Sequence, residues 1–181
     1  MNIWIIIALI AVAAFIWFLY NSIIVAKLRI SEALSQIDVQ LKRRTDLIPN
    51  LVETVKGYAK HERDLFEKVT KERASLVSAK SPAQKAEANN MLSETLKSIF
   101  AVAEAYPDLK ASQNFLELQE EISDTENKIA YARQFYNSNV LDYNTKLKVF
   151  PNVFIAGLFN FKEAEFFAAS DEEKKEVKVK F

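Results

Sequence analysis

The chain contains no cysteine, so disulfide staples and cysteine-ligated zinc or iron–sulfur centres are excluded. Glycine is nearly as scarce. With Gly57 and Gly157 alone, no Walker loop, dinucleotide-binding turn or Gly-x-Ser-x-Gly elbow can be assembled. His61 is the single histidine, with Leu65 four residues after it and Tyr58 three before, so neither a zinc-protease helix nor a di-iron Glu-x-x-His pair exists. It reads as a surface or helix-face histidine. Lys plus Arg equals Asp plus Glu at 24 each, which removes the electrostatic footprint of a nucleic-acid binder. No nucleophile, metal set or cofactor loop is visible, and no cofactor and no catalysis are expected.

What is present first is an apolar run at residues 3–20 without a single charge. Eleven of its positions are Ile, Leu, Phe or Val, which on an insertion scale favour the bilayer by roughly 3 to 7 kcal/mol in sum. As a helix the run measures roughly 27 Å, close to a hydrocarbon core of about 30 Å, and Ile23, Ile24 and Val25 extend it if the helix tilts. Trp4 at one end, with Trp17 and Tyr20 at the other, suits two aromatic belts. A cleaved secretory signal is the competing reading, with Ala11-Val12-Ala13 as its small-residue site. Against it, no Lys or Arg precedes the run and strong apolar residues continue past the site. Lys27 and Arg29 follow the span, which by the positive-inside rule puts the rest of the chain in the cytoplasm as a single-pass protein of the cell membrane.

The prolines at 49, 82, 107 and 151 punctuate a helical protein. The spacing predicts a first soluble helix to about residue 44, with Ile30, Leu34, Ile37 and Leu41 on one face. A second is expected to start at Pro49 and run to about Ser78, burying Val52, Val55, Ala59, Phe66 and Val69. Gly57 inside it points either to a close helix approach or to an unremarkable surface position. Ser81-Pro82 opens a third as N-cap and first-turn proline, carrying Leu92, Leu96, Ile99 and Val102 inward until Pro107 stops it. The fourth, about 111–149, repeats Phe115, Ile122, Ile129, Tyr136, Tyr143 and Phe150 every seven residues. The fold class is therefore all-α: a transmembrane anchor at 1–25, an elongated antiparallel bundle of about four long helices at 26–150, and a tail at 151–181.

On the fourth helix Thr125, Glu126, Asn127, Arg133, Asn137 and Asn144 suit buried hydrogen bonds that fix register, rather than a ligand site. Glu117, Glu120, Glu121 and Asp124 read as a solvated acidic face. Seven of the thirteen phenylalanines fall from Phe150 onward, too many for a solvated linker. They fit best a short helix folding back to plug the bundle, since unpaired aromatics most often become core; the alternatives are a contact with the membrane interface or a subunit interface. Residues 177–181 fit a short edge strand or no ordered element.

The stretch Asp-Val-Gln-Leu-Lys-Arg-Arg-Thr-Asp-Leu-Ile-Pro-Asn-Leu-Val at 38–52, followed by Val55-Lys56-Gly57-Tyr58, resembles the signature of the LemA family of bacterial membrane-anchored helical proteins. Glu-Ala-Tyr-Pro-Asp-Leu-Lys-Ala at 104–111, Asn114-Phe115, Leu118-Gln119, the segment 125–130, Arg133, Tyr136-Asn137, Tyr143-Asn144 and Phe150-Pro151 match in the same order. The tail beyond is a looser match. The resemblance implies one transmembrane helix, a cytoplasmic antiparallel bundle, a bacterial cell-membrane location and no established catalytic activity. It supplies no active-site residues.

If the helices alternate direction, the turns at 44–49 and 106–110 share the end away from the membrane. Arg43, Arg44, Asp46, Tyr106 and Asp108 then form a candidate interaction surface, with arginine forks available for a partner's carboxylate or phosphate. The plainer alternative is that Asp46 and Asp108 cap helices while the arginines pair locally. The functional expectation is a membrane-anchored scaffold or interaction protein without catalysis, touching the bilayer through residues 3–20, self-associating as a homo-oligomer and recruiting an unidentified protein partner. The alternative is an adaptor that binds an anionic ligand or partner through Arg43 and Arg44.

Overall fold

A computed structural model describes residues 3–59 and 61–167; the expectation for 177–181 lies outside them. Among the described residues every regular element is helical: α1 Ile3–Lys56, α2 Arg63–Ser78, α3 Pro82–Ala103, α4 Pro107–Lys110, α5 Gln113–Lys148 and α6 Asn152–Leu158. The chain forms two compact units, one from the residues up to Ser35 with Gln134–Phe166, the other from Gln36–Arg133 with Phe167.

In the first unit, burial begins where the apolar run stops being exposed. Residues 3–18 are all exposed, and α1 carries a segment long and apolar enough to cross a membrane. Burial starts at Leu19 and repeats at Ile23, Ala26, Ile30 and Ala33, a four-three-four-three spacing that keeps one stripe facing a partner helix. Ile23 is 0% exposed, so it belongs to the protein core and does not extend the exposed apolar run. Tyr136, Val140, Tyr143 and Leu147 of α5 are the buried seam of this unit, and Lys146 Nζ reaches Ser22 Oγ of α1 at 3.1 Å. Phe150, the last member of the seven-residue series, is instead exposed, because α5 ends at Lys148.

After α5 the tail folds back along it. α6 buries Ile155 and Ala156. It ends in a Schellman arrangement: Asn160 takes φ 52°, Asn160 N–H donates to Gly157 and Phe161 N–H to Ala156. Asparagine tolerates this left-handed conformation better than most side chains. The extended segment that follows is held by α5 side chains. Tyr143 Oη donates to the Lys162 carbonyl and Tyr136 Oη to the Glu165 carbonyl, both at 3.0 Å. Asn144 donates to the Ala164 carbonyl at 2.9 Å and accepts its N–H at 2.8 Å. Burial, joined at Tyr136 by the Glu165 carboxylate, holds both phenols above the ordinary tyrosine value, so they remain donors. The register-fixing role expected of Asn144 is thus exercised on the tail.

In the second unit the expected turn at 44–49 is absent. α1 continues through Pro49 to Lys56, and the chain turns between Gly57 and Glu62. A proline inside a helix removes the bond to the carbonyl four residues back and pushes that carbonyl aside, at a cost of about 3 kcal/mol. Here that carbonyl is Thr45, and it accepts Arg73 Nε of α2 at 2.7 Å. The acceptor that proline orphans is taken by a guanidinium from another helix, so the helix does not break. Gly57 sits in the terminal turn of α1, and a methyl group added there would meet only backbone of its own last turn, Thr54 O at 3.4 Å; the expected close helix approach is not what it serves. Lys56 closes the turn over the Phe66 ring at 5.9 Å.

α3 starts as its sequence dictates. Ser81 Oγ accepts Gln84 N–H and Gln84 Oε1 accepts Ser81 N–H, a complete capping box with Pro82 in the first turn. Its Leu92, Leu96 and Ile99 are buried; each such side chain contributes about 1.5–3 kcal/mol on burial. Pro107 ends α3 and opens the single turn of α4, whose Leu109 is buried, and α5 follows with Phe115, Ile122 and Ile129 inward.

Candidate functional site

Residues 38–52 form a run in which α1 reaches three other helices. Continuing the buried stripe along α1 gives Ile37, Leu41, Arg44, Ile48, Leu51 and Val55. Arg44 occupies a core position and is 0% exposed. Its Nη1 donates to Asn89 Oδ1 and Ser93 Oγ of α3, both at 2.9 Å, and its Nη2 to Glu126 Oε2 of α5 at 3.3 Å. Burial pulls the guanidinium below its usual value and Glu126 opposes that; arginine is so basic that it stays charged. Nε finds no protein partner.

Around it the neighbouring residues repeat the theme. Asp38 pairs with Lys85 of α3 at 2.5 Å. Arg43 pairs with Glu121 of α5 at 2.5 Å and lies 3.8 Å from Asp124; Glu121 raises the Arg43 value, by its hydrogen bond first and its charge second. Thr45 takes Arg73 of α2. One stretch of α1 thereby supplies polar bonds to α2, α3 and α5. Glu121 and Asp124, read from sequence as part of a solvated face, are half exposed and partly spent on Arg43.

The five candidate surface residues do not form one patch. Arg44 lies inside the second unit. Asp46 is exposed and bonds Lys42 at 2.8 Å on its own helix, and it caps nothing because α1 runs on. Tyr106 is the N-cap residue of α4 without a side-chain cap bond, and Asp108 is exposed in its first turn. No hydrogen bond or ion pair found among the described residues joins Arg43, Arg44 or Asp46 to Tyr106 or Asp108. The turn predicted after Arg44 would have made them neighbours. The correction follows from Pro49, since a continuous α1 leaves Arg43 and Arg44 three turns before its end. Sequence held a signal for the burial of Arg44: it continues the four-three spacing of Ile37 and Leu41 towards Ile48.

Two grooves were not foreseen. One of about 420 Å³ is lined by Asp38, Lys42, Asp46, Arg73, Val77 and Lys85 among others, so the outward edge of the motif is its Lys42–Asp46 side. The other, about 740 Å³, lies along α2 with Lys56, Arg63, Phe66 and Lys71 in its wall. Among the described residues no three His, Asp or Glu side chains come close enough to hold a metal ion, and His61 is exposed.

An all-helical body behind an exposed apolar segment, with its most distinctive motif spent on joining helices, defines a membrane-associated helical protein. The sequence profile of the LemA family matches residues 33–181, and the chain belongs to that family. It is 29% identical over 152 residues to protein LemA of Metamycoplasma hominis, covering 82% of this chain and 68% of that protein. It is 24% identical over 191 aligned residues to magnetosome protein MamQ 2 of Paramagnetospirillum magneticum, covering 90% and 70%. With magnetosome protein MamQ of Magnetospirillum gryphiswaldense it shares 22% identity over 159 residues, covering 74% and 58%. None of these names carries a catalytic activity.

Proposed function

We propose that this protein is a membrane-anchored scaffold, held in the bilayer through the first part of α1, with its helical body in the cytoplasm and copies of itself as its first partners. The observation that carries the reading is the contrast along α1 itself: residues 3–18 are apolar and exposed, whereas from Leu19 onward the same helix buries a regular stripe. Lys27 and Arg29, exposed just beyond the span, support the cytoplasmic orientation. Leu141, a large apolar side chain left exposed on α5, offers a contact for self-association. The likeness to magnetosome proteins is compatible with a scaffold and names no reaction.

The adaptor reading through Arg43 and Arg44 is not favoured: the buried Arg44 has no face to present, and Arg43 already has Glu121. An anionic partner would have to displace an existing carboxylate.

The test is the detergent-corrected mass of the full chain by light scattering at several concentrations. A stable assembly larger than one chain is expected. A monomer at every concentration would remove self-association and leave recruitment of a different protein. Orientation is read by labelling a Tyr131→Cys variant with a membrane-impermeant maleimide; the chain's lack of cysteine makes the label unique.

A further inference from the structure

α6 and the residues flanking it expose more apolar surface than a short helix packed on its own unit needs to. Ile155 and Ala156 face inward, but Phe150, Phe154 and Leu158 stand at four-residue intervals and are 79%, 69% and 75% exposed. The Phe150 and Phe154 rings meet edge-on at 6.0 Å. Four-residue spacing puts Phe154 and Leu158 on one face of α6, and the ring contact sets Phe150, from the turn before the helix, beside them. The stripe therefore looks outward as a set.

Its position within the first unit says what covers it. Phe159, just after α6, packs its ring 4.8 Å from Tyr20, and Phe161 packs 5.8 Å from the same ring. Tyr20 closes the apolar run of α1, two residues after the last exposed member of that run. The end of α5 is tied to Ser22, two residues further on. α6 thus lies at the level where the apolar run ends, with the residues just after it packed on Tyr20, an aromatic residue that suits a headgroup belt.

We propose that α6 is a second membrane contact, a foot whose Phe150–Phe154–Leu158 face lies in the headgroup–acyl boundary of the bilayer that α1 spans. The inference rests on residues 3–18 being that span. A short apolar face lying in the interface plane is the geometry of monotopic contacts. Here the span has already brought the face to the surface, so the small area of one short helix suffices. Lys27 and Arg29, exposed on α1 shortly past the span, suit anionic headgroups above the foot.

The experiment uses the full chain in phosphatidylcholine vesicles containing a minor share of phosphatidylglycerol. Single nitroxide labels are placed at Ile10→Cys, Phe154→Cys, Leu158→Cys and, as an exposed reference on α5, Phe135→Cys. Collision rates with oxygen, which partitions into lipid, and with a water-soluble nickel chelate are compared. The expected result is an oxygen-to-nickel ratio several-fold higher at 154 and 158 than at 135, approaching that at 10. Phe150→Glu with Phe154→Glu should lower the ratio at 158 to the level of 135 without moving the melting temperature. A nickel-accessible label at 154 and 158 with a lipid-buried label at 10 would overturn the foot and leave the span. A nickel-accessible label at 10 would remove both. Spin–spin broadening at 154 that vanishes on dilution with unlabelled chain would overturn it by showing that a second copy covers the face.

Discussion

Inside each unit, taken by itself, a different kind of polar bond predominates. In the first, α5 side chains bond the backbone of the tail: two tyrosines and an asparagine to the carbonyls of Lys162, Glu165 and Ala164 and to one N–H. In the second, charged side chains from α1 mostly meet side chains of other helices, Arg44 with Asn89, Ser93 and Glu126, and Asp38 with Lys85. A backbone carbonyl is offered by any residue, so the first arrangement constrains one partner's sequence and leaves the other nearly free. A side-chain pair constrains both. That is why the stretch around Arg44 reads as a specific motif while the tail reads loosely.

The comparison predicts unequal effects of substitution. Arg44→Ala should be the most damaging single change, because it empties a core position and leaves the buried Asn89 without its donor; a loss of about 2–5 kcal/mol is expected, read by guanidinium unfolding of the full chain in detergent. Arg44→Met with Asn89→Leu should recover most of it, since an apolar side chain of similar length fills the same core position and no buried amide is left without its partner. If the double change is as unstable as Arg44→Ala, the charge itself is what the core requires.

Arg73→Ala should come next, at about 1–3 kcal/mol, the cost of leaving the Thr45 carbonyl unpaired. The same change made in a Pro49→Ala chain should cost far less, because the substituted alanine supplies its own N–H to that carbonyl. Additive effects in this cycle would show that Arg73 acts by some other contact.

Asn144→Ala tests the first unit. It removes both bonds to Ala164, and the expected outcome is local: amide hydrogens in 160–166 exchange at least tenfold faster, for a loss of about 1.4 kcal/mol or more, while the melting temperature of the second unit holds. Lys162→Ala and Glu165→Ala retain the carbonyls and should leave exchange nearly unchanged, within about 0.5 kcal/mol. Equal sensitivity on both sides of these bonds would break the comparison. The smallest effect is expected for Arg43→Ala, since its pair with Glu121 is exposed to solvent and screened. The change should shrink further as salt is raised, measured by the same unfolding curves.

Much of the helical framework was legible because its signals are local. Ser81, Pro82 and Gln84 lie within four residues and state one N-terminus, and the seven-residue recurrence from Phe115 to Tyr143 states one long helix. The α1–α2 turn was misplaced because Pro49 carries a strong local penalty whose remedy, Arg73, stands 24 positions away in the chain and is recognisable only once α2 lies beside α1. The candidate surface does not assemble for that reason and for one more: charge argues for exposure and spacing for burial, and at Arg44 the spacing prevails because Asn89, Ser93 and Glu126 supply the polar partners a buried guanidinium needs. The tail's fold-back was the fate favoured for its phenylalanines, but its anchoring was not legible, because the backbone carbonyls that Tyr136 and Tyr143 capture leave no trace in sequence.

Pro49 does more than go unpunished. A regular helix presents a closed ladder, each carbonyl already engaged, and a neighbouring helix can slide a turn along it at little polar cost. By vacating the Thr45 carbonyl, the proline leaves one rung of α1 open, and Arg73 is the key cut for that rung. A slip of α2 by one turn would leave a guanidinium without an acceptor and an acceptor without a donor at once. In this setting a residue known for ending helices serves as an alignment mark, fixing where along a 54-residue helix its neighbour comes to rest.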